Sequence, residues 1–299
     1  MIGTRGSSLA LCQAEIVRTK LEERYPDRRV ELRTIKAQAD KNPELSLVAI
    51  GGEGVFVKEL ETALQERRIT LAVHSMKDVP LDIPEDLRIA AVLEREEPRD
   101  ALVSRSGAPL DELPAGATVG TSSLRRRSQL LRRRKDLALR EIRGNVDTRL
   151  RKLGEGQFDA IVLAACGLIR LGLEDRITQL LAFEEMLPEP GQGALALEAR
   201  GDDPDTLELL SGLEDSVSRA CVDAERAFLK ALGGGCRVPI AAYASAEHGT
   251  LSLEGTVVRA DGSAEVRGRL SGSLMEPMAL GERLASELES RGARKLLGE

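Results

Sequence analysis

Three short stretches of this 299-residue chain hold residue types able to bind an anion or steer a proton. In "HSMKDVP", residues 74–80, Lys77 stands beside Asp78 where a buried strand ends and a proline stops further pairing. The adjacent cation keeps the carboxylate ionised, and an ionised carboxylate accepts strongly from a ligand N–H. An ordinary polar loop would use the same residues. In "GTSSLRRRSQLLRRRK", residues 120–135, Thr121, Ser122 and Ser123 lead from a strand into a helix, a place where unpaired backbone N–H groups and hydroxyls face an anion. Arg125 and Arg126 fall in the first helical turn, from which guanidinium forks reach the same anion bidentately. "LREIRGNVDTRLRKL" repeats the device, with Arg143 at a Gly144–Asn145 turn and Arg149 one to two helical turns on. Two such helix N-termini imply a ligand with several carboxylates or phosphates. The lack of a G-x-x-x-x-G-K-[ST] or G-x-G-x-x-G pattern weakens a phosphate-only reading.

A fourth stretch, "GGGCRVPI" (residues 233–240), sets Cys236 among three glycines and a proline, on a loop free to approach another group closely. The residues alone fit a metal ligand, a nucleophile, an attachment point or an inert thiol. Cys12, Cys166 and Cys221 sit in apolar patterns and read as small core residues. With no C-x-x-C pair and only His74 and His248, no metal site is expected and the thiols are expected to be free. Arg132, Arg133, Arg134 and Lys135 read as a solvated face. "EPGQGALALEAR" reads as an interdomain hinge, or as a device that brings the Gln192 amide into a binding cleft.

The elements that must carry these residues alternate in βαβ rhythm. Leu9, Cys12, Ile16, Val17 and Leu21 recur at helical spacing behind a Ser7 or Ser8 N-cap; "VELRTIKA" and "ITLAVHS" read as strands, and "GGEGVFVKELETALQERR" as a glycine loop feeding a helix. After Pro98 the rhythm restarts with "DALVS", "ATVG", a helix from about Ser123 to Arg134, "LALREI", "NVDTRLRKL" and "FDAIVLA". Helix is expected around Asp215–Leu232. Beyond Ala241, strands separated by "HG" and "DGS" read as a hairpin meander closed by a helix over Pro277–Arg291. The fold class expected is α/β: one α/β domain over 1–94 and 194–212, a second over 95–193, and a small α+β domain over 213–299.

Composition narrows the function. The 42% hydrophobic and 31% charged content is that of a folded globular chain, and no apolar run approaches the ~18 residues of a membrane helix. "MIGTRGSSLA" has neither the basic start nor the apolar core of an export signal, so the cytoplasm is the expected location. A net charge of −6 argues against general nucleic-acid binding, yet residues 121–152 hold twelve Lys or Arg against three acids. A small polyanion can be held there without a basic surface overall.

Taken in order, "IGTRGSSLALCQA", "GGEGVFVKELE", "AVHSMKDVP", "EREEPRDALVS", "VGTSSLRRRSQL", "IRGNVDTRL", "FDAIVLAACGLIRLGL", "LPEPGQGALALE" and "GGGCRVPIAAYA" resemble the porphobilinogen deaminase (hydroxymethylbilane synthase) family across essentially the whole chain. The resemblance implies two lobes like a type II periplasmic binding protein with a cleft between them, and a third domain carrying a thioether-linked dipyrromethane cofactor. The matching thiol is Cys236. It also implies condensation of four porphobilinogens, with loss of four ammonias and release of hydroxymethylbilane after hydrolysis, by a monomer. Asp78 is implied as the catalytic carboxylate. Lys77, Thr121, Ser123, Arg125 and Arg126 are implied to hold cofactor carboxylates, and Arg5, Ser7, Arg143, Arg149 and Arg170 those of the substrate. The chain departs from the family where "GGEG" puts Glu53 in place of the usual lysine, and where Ile2 already stands inside the motif, so that either the true start lies upstream or the first strand is short. The rival classes are a non-enzymatic two-lobed binder of a small polyanion and a nucleic-acid binder using the Arg125–Lys135 run.

Overall fold

The computed structural model describes residues 1–35, 57–234 and 238–298. The Glu53 loop and Cys236 lie outside them. In chain order the strands are β1 Ile2–Thr4, β2 Leu32–Thr34, β3 Leu71–Ser75, β4 Leu87–Val92, β5 Asp100–Ser104, β6 Thr118–Gly120, β7 Ala138–Arg140, β8 Ala160–Ala164, β9 Gln179–Leu180, β10 Leu195–Arg200, β11 Ile240–Glu247, β12 Thr250–Val258 and β13 Glu265–Ser273. The helices are α1 Ser8–Arg24, α2 Lys58–Gln65, α3 Leu124–Arg133, α4 Val146–Gly154, α5 Ala165–Arg170, α6 Pro204–Ser211, α7 Ser216–Ala231, α8 Pro277–Ser290 and α9 Ala293–Leu297. They divide into two compact units, Met1–Glu96 with Ala194–Arg219, and Glu97–Gly193 with Ala220–Glu299.

The first unit is built on a five-stranded sheet ordered β2-β1-β3-β10-β4. β1 runs parallel to β2 and β3, while β10 runs antiparallel to both its neighbours, β3 and β4. One face buries Ile2, Val17, Leu71 and Leu197; the other buries Leu60, Leu64, Ile69 and Leu87. Covering both faces is what lets strands read as continuous apolar runs. The inner stripe of α1 is Gln13, Ala14, Val17 and Leu21, turned from the expected one so that Leu9 and Cys12 are only half-buried. Gln13 can enter because its Nε2 donates to Ser75 Oγ at 2.9 Å, satisfying a buried amide.

The second unit repeats the order as β7-β6-β8-β5-β9. β6 is parallel to β7 and β8, and β5 is antiparallel to β8 and β9. In each sheet the reversed strand is the first after the chain passes from the other unit. Chain entry at the carboxyl edge of the parallel strands requires this reversal: Leu195 opens β10 opposite Ser75, and Asp100 opens β5 opposite Ala164. Each sheet is therefore mainly parallel with one reversed strand.

The expected meander follows, a three-stranded antiparallel sheet β11-β12-β13. Its first turn puts His248 at φ 49° and Gly249 at φ 77°, the left-handed pair that suits a two-residue hairpin. This sheet is fastened inside the second unit by Glu225 of α7, fully buried, whose two carboxylate oxygens accept from Gly191 N and Ala244 N at 2.7 Å each. Stacking of Phe183 on Tyr243 (4.0 Å between centroids) joins the same two regions. Cys166 and Cys221 are buried as expected.

Candidate active site

In the first unit β3 runs straight into a single 3-10 turn, Met76–Asp78. Met76 and Val79, 2% and 3% exposed, anchor the turn in the core. Met76 N continues the sheet by donating to Ala194 O at 3.0 Å, and Val79 N closes the turn on Met76 O at 3.1 Å. Held between these anchors, Lys77 is half-buried and Asp78 is exposed. Among the described residues Asp78 has no ion-pair partner, so its carboxylate keeps its acceptor capacity for a ligand. Arg5 and Ser7 follow β1, which is parallel to β3, and so lie along the same carboxyl edge. Ser7 caps α1 by accepting from Ala10 N at 3.3 Å, while Thr4 Oγ1 donates to Ala10 O at 2.9 Å.

In the second unit the parallel strands β7, β6 and β8 all end at one edge, and each leads to a site helix. Ser123 is the N-cap of α3 and Asn145 that of α4, accepting from Arg126 N at 3.4 Å and Thr148 N at 3.0 Å. Thr121 is buried, with Oγ1 accepting from Ser123 N at 3.3 Å. Ser122 donates to Ile142 O at 2.7 Å, tying the two helix starts together. Gly144 has φ 111°, and a Cβ there would sit 2.6 Å from Thr148 Cγ2, so no other residue fits the turn. Arg143 is partly exposed and pairs with Glu141 at 3.1 Å; Arg149 Nε donates to Gly144 O at 2.8 Å; Arg170 Nη2 donates to Gly193 O at 2.8 Å.

Arg125 and Arg126 stand apart from the others because both are buried, 2% and 6% exposed. Arg125 donates to Asp100 Oδ2 at 2.6 Å, Leu187 O at 2.8 Å and Glu189 Oε2 at 3.1 Å. Arg126 donates to Asp100 Oδ1 from Nε at 3.0 Å and Nη2 at 2.7 Å, and to Val162 O at 3.1 Å. Burial pushes the Asp100 carboxyl up; the charges of Arg125 and Arg126, with hydrogen bonds from Arg125 and Gln192, outweigh it and hold Asp100 well below the usual carboxylate range. Burial likewise pulls Arg125 down, and Asp100 and Glu189 more than offset it. Sequence reasoning had not assigned Asp100 or Glu189. The available signal was an acid heading an otherwise buried strand, "DALVS".

In the second arginine cluster Arg132, Arg133 and Lys135 are exposed, as expected of a solvated face, and Arg134 is partly buried. Arg133 pairs with Asp111 and Glu185, and Arg134 with Asp136 and the carbonyls of Leu110, Asp111 and Leu113. Among the described residues no group of His, Cys, Asp and Glu is arranged to hold a metal, and no helix is long and apolar enough to cross a membrane.

Residues 1–208 match the family model "Porphobilinogen deaminase, dipyromethane cofactor binding domain", and residues 219–290 match "Porphobilinogen deaminase, C-terminal domain". The chain belongs to the porphobilinogen deaminase family. A porphobilinogen deaminase of Syntrophobacter fumaroxidans is 47% identical over all of this chain and 96% of its own length. One of Chromobacterium violaceum is 50% identical over 99% of this chain and 96% of its own. Among solved structures the chain is similar to the periplasmic aliphatic sulphonate binding protein of Escherichia coli, 16% identical, covering 77% of this chain and 68% of that one, with a TM-score of 0.40.

The donor set suits the cofactor that the family model names. Dipyrromethane carries an acetate and a propionate on each ring, and the carboxyl edge of the second unit offers the hydroxyls of Thr121 and Ser123 at the capped N-terminus of α3, with Arg125 and Arg126 in its first turn. Cys236, the expected point of attachment, lies outside the described residues.

Proposed function

We propose that the chain acts as a porphobilinogen deaminase, joining four porphobilinogens head to tail on a dipyrromethane anchored at Cys236, releasing four ammonias and, when water cleaves the tetrapyrrole from its anchor, hydroxymethylbilane. What carries this reading is the near 50% identity to curated porphobilinogen deaminases over the full length of both chains. The bound cofactor supplies a tethered pyrrole whose free α-carbon forms the new carbon–carbon bond.

The residues then divide the work. Expulsion of ammonia from the aminomethyl group leaves a cation shared with the pyrrole nitrogen. Asp78, exposed on a rigidly anchored turn, accepts a hydrogen bond from that N–H and stabilises the cation more than the neutral ground state. The same carboxylate is suited to move the proton released when the ring regains aromaticity. Each added ring brings two carboxylates, received by Arg5, Ser7, Arg143, Arg149 and Arg170, while Lys77, Thr121, Ser123, Arg125 and Arg126 serve the cofactor. The buried pair acts from behind, since most of its named donors are already engaged. The reading includes a third domain over 213–299 and a monomer working in the cytoplasm without metal or nucleic acid.

The test is intact mass under denaturing conditions together with turnover. The expected result is an addition equal to two deaminated porphobilinogen units, absent in Cys236→Ser, and release of ammonia from porphobilinogen. An unmodified chain that is fully active rejects the role of Cys236, and no ammonia release from the modified chain rejects the function.

A further inference from the structure

The segment that returns the chain from the second unit to the first, Leu187–Gly193, is bonded to the arginine site through Leu187, Glu189, Gln192 and Gly193. Leu187 O and Glu189 Oε2 accept from Arg125, and Gly193 O accepts from Arg170. Between them Gln192 is fully buried, and its Nε2 donates both to Asp100 Oδ1 at 3.0 Å and to Pro98 O at 2.7 Å. Pro98 lies where the chain first enters the second unit, two residues past Glu96. Asp100 Oδ1 is also the oxygen on which both Nε and Nη2 of Arg126 converge.

A primary amide meets this demand without adding a charge. Its two N–H groups serve two acceptors at once; a carboxylate has no donor, and a methionine of similar length has none either. Asp100 Oδ1 also accepts from Arg125 Nη2 at 3.3 Å, and Gln192 adds the neutral donor that ties this carboxylate to the chain's first passage at Pro98, so that it cannot rotate without breaking buried, charge-assisted bonds. Accepting the deaminase reading above, we propose that Gln192 is a positioning residue for ligand capture: through Asp100 it sets the orientation of Arg126, and it joins both passages of the chain to that same carboxylate. The hinge and the arginine pair are thus one hydrogen-bonded body, so a change in the backbone at either passage is felt at the guanidinium.

The experiment uses the full chain and two variants, Gln192→Met and Gln192→Glu. In Gln192→Met, KM for porphobilinogen is expected to rise about tenfold with kcat within about threefold, the pattern of lost capture rather than lost chemistry. The fraction of chains carrying the two-pyrrole addition, read by denaturing mass spectrometry, is expected to fall as well. Gln192→Glu keeps the length of the side chain but has at most one donor for the two acceptors, so its KM is expected to rise and its cofactor occupancy to fall at least as far as in Gln192→Met. A brace without a positioning role would lower the unfolding midpoint and leave KM and occupancy at the parent values. Unchanged KM and unchanged cofactor occupancy in Gln192→Met overturn the proposal. Should that variant fail to fold, parent-like KM and occupancy in Gln192→Glu overturn it instead. A parent protein that releases no ammonia from porphobilinogen sinks the functional reading and this one together, whereas an active parent beside an unaffected Gln192→Met sinks this one alone.

Discussion

Arg126 meets Asp100 side-on, with Nε at 3.0 Å and Nη2 at 2.7 Å from the same carboxylate oxygen, both side chains being buried. Arg125 takes the other oxygen at 2.6 Å. One buried acid therefore holds two buried bases, and the arrangement tolerates loss of the acid poorly. Asp100→Asn removes the charge that compensates both guanidinium groups, an error that costs about 3–5 kcal/mol when a buried pair is broken from one side. Denaturant unfolding is the measurement, and a change below about 1 kcal/mol contradicts this account.

The same carboxylate sets an acid limit. Because its folded-state pKa lies below that of the unfolded chain, its contribution is complete above the unfolded value of about 4 and is lost as pH falls through the folded value. Stability is expected to decline below about pH 4, and part of that slope is expected to vanish in Asp100→Asn. Unfolding midpoints of both proteins between pH 2 and 6 check this.

Asp78 does different work. Its turn is held by Met76 and Val79, not by the carboxylate, so Asp78→Asn should fold and keep its cofactor. The loss should appear in kcat, by at least about a hundredfold, as when a preorganised group facing developing charge is removed. Single-turnover ammonia release, alongside the mass of the bound cofactor, separates the two effects.

Arg143 sits half in solvent at the start of α4. Arg143→Leu should raise KM by about tenfold with little change in melting temperature, consistent with one hydrogen bond to a charged group. Arg143→Lys should recover only part of that, because a point charge cannot reproduce a bidentate fork. Normal steady-state kinetics in Arg143→Leu would return the residue to the solvated surface.

Glu225→Ala strands two buried backbone N–H groups, those of Gly191 and Ala244, at about 1–3 kcal/mol each. Faster hydrogen exchange at both amides, together with a lowered unfolding midpoint, is the expected signature.

Much of this architecture is legible from local chemistry. Ser7, one of two candidate N-caps, caps α1, and Ser123, where a helix was expected to begin, caps α3, because a hydroxyl at that position satisfies a helix N–H whatever lies around it. The "HG" turn is equally local. The antiparallel strands β5 and β10 were not legible as such, since strand direction depends on where the chain enters the sheet and leaves no mark on the residues. The inner face of α1 was misjudged for a related reason. Gln13 looks like a surface residue until Ser75, sixty-two positions away, offers it a partner.

The site divides along the same line. Residue type and spacing alone determined that two arginine-bearing helix starts and an acid-tipped strand end exist, because caps, turns and strand ends are properties of a few neighbouring residues. Only the tertiary structure decided that Arg125 and Arg126 are sunk against Asp100, Glu189 and Gln192 while Arg143 stays at the surface. Burial of a charge depends on whether distant segments bring compensating groups to it, and the segments that meet here are separated by up to ninety-two residues.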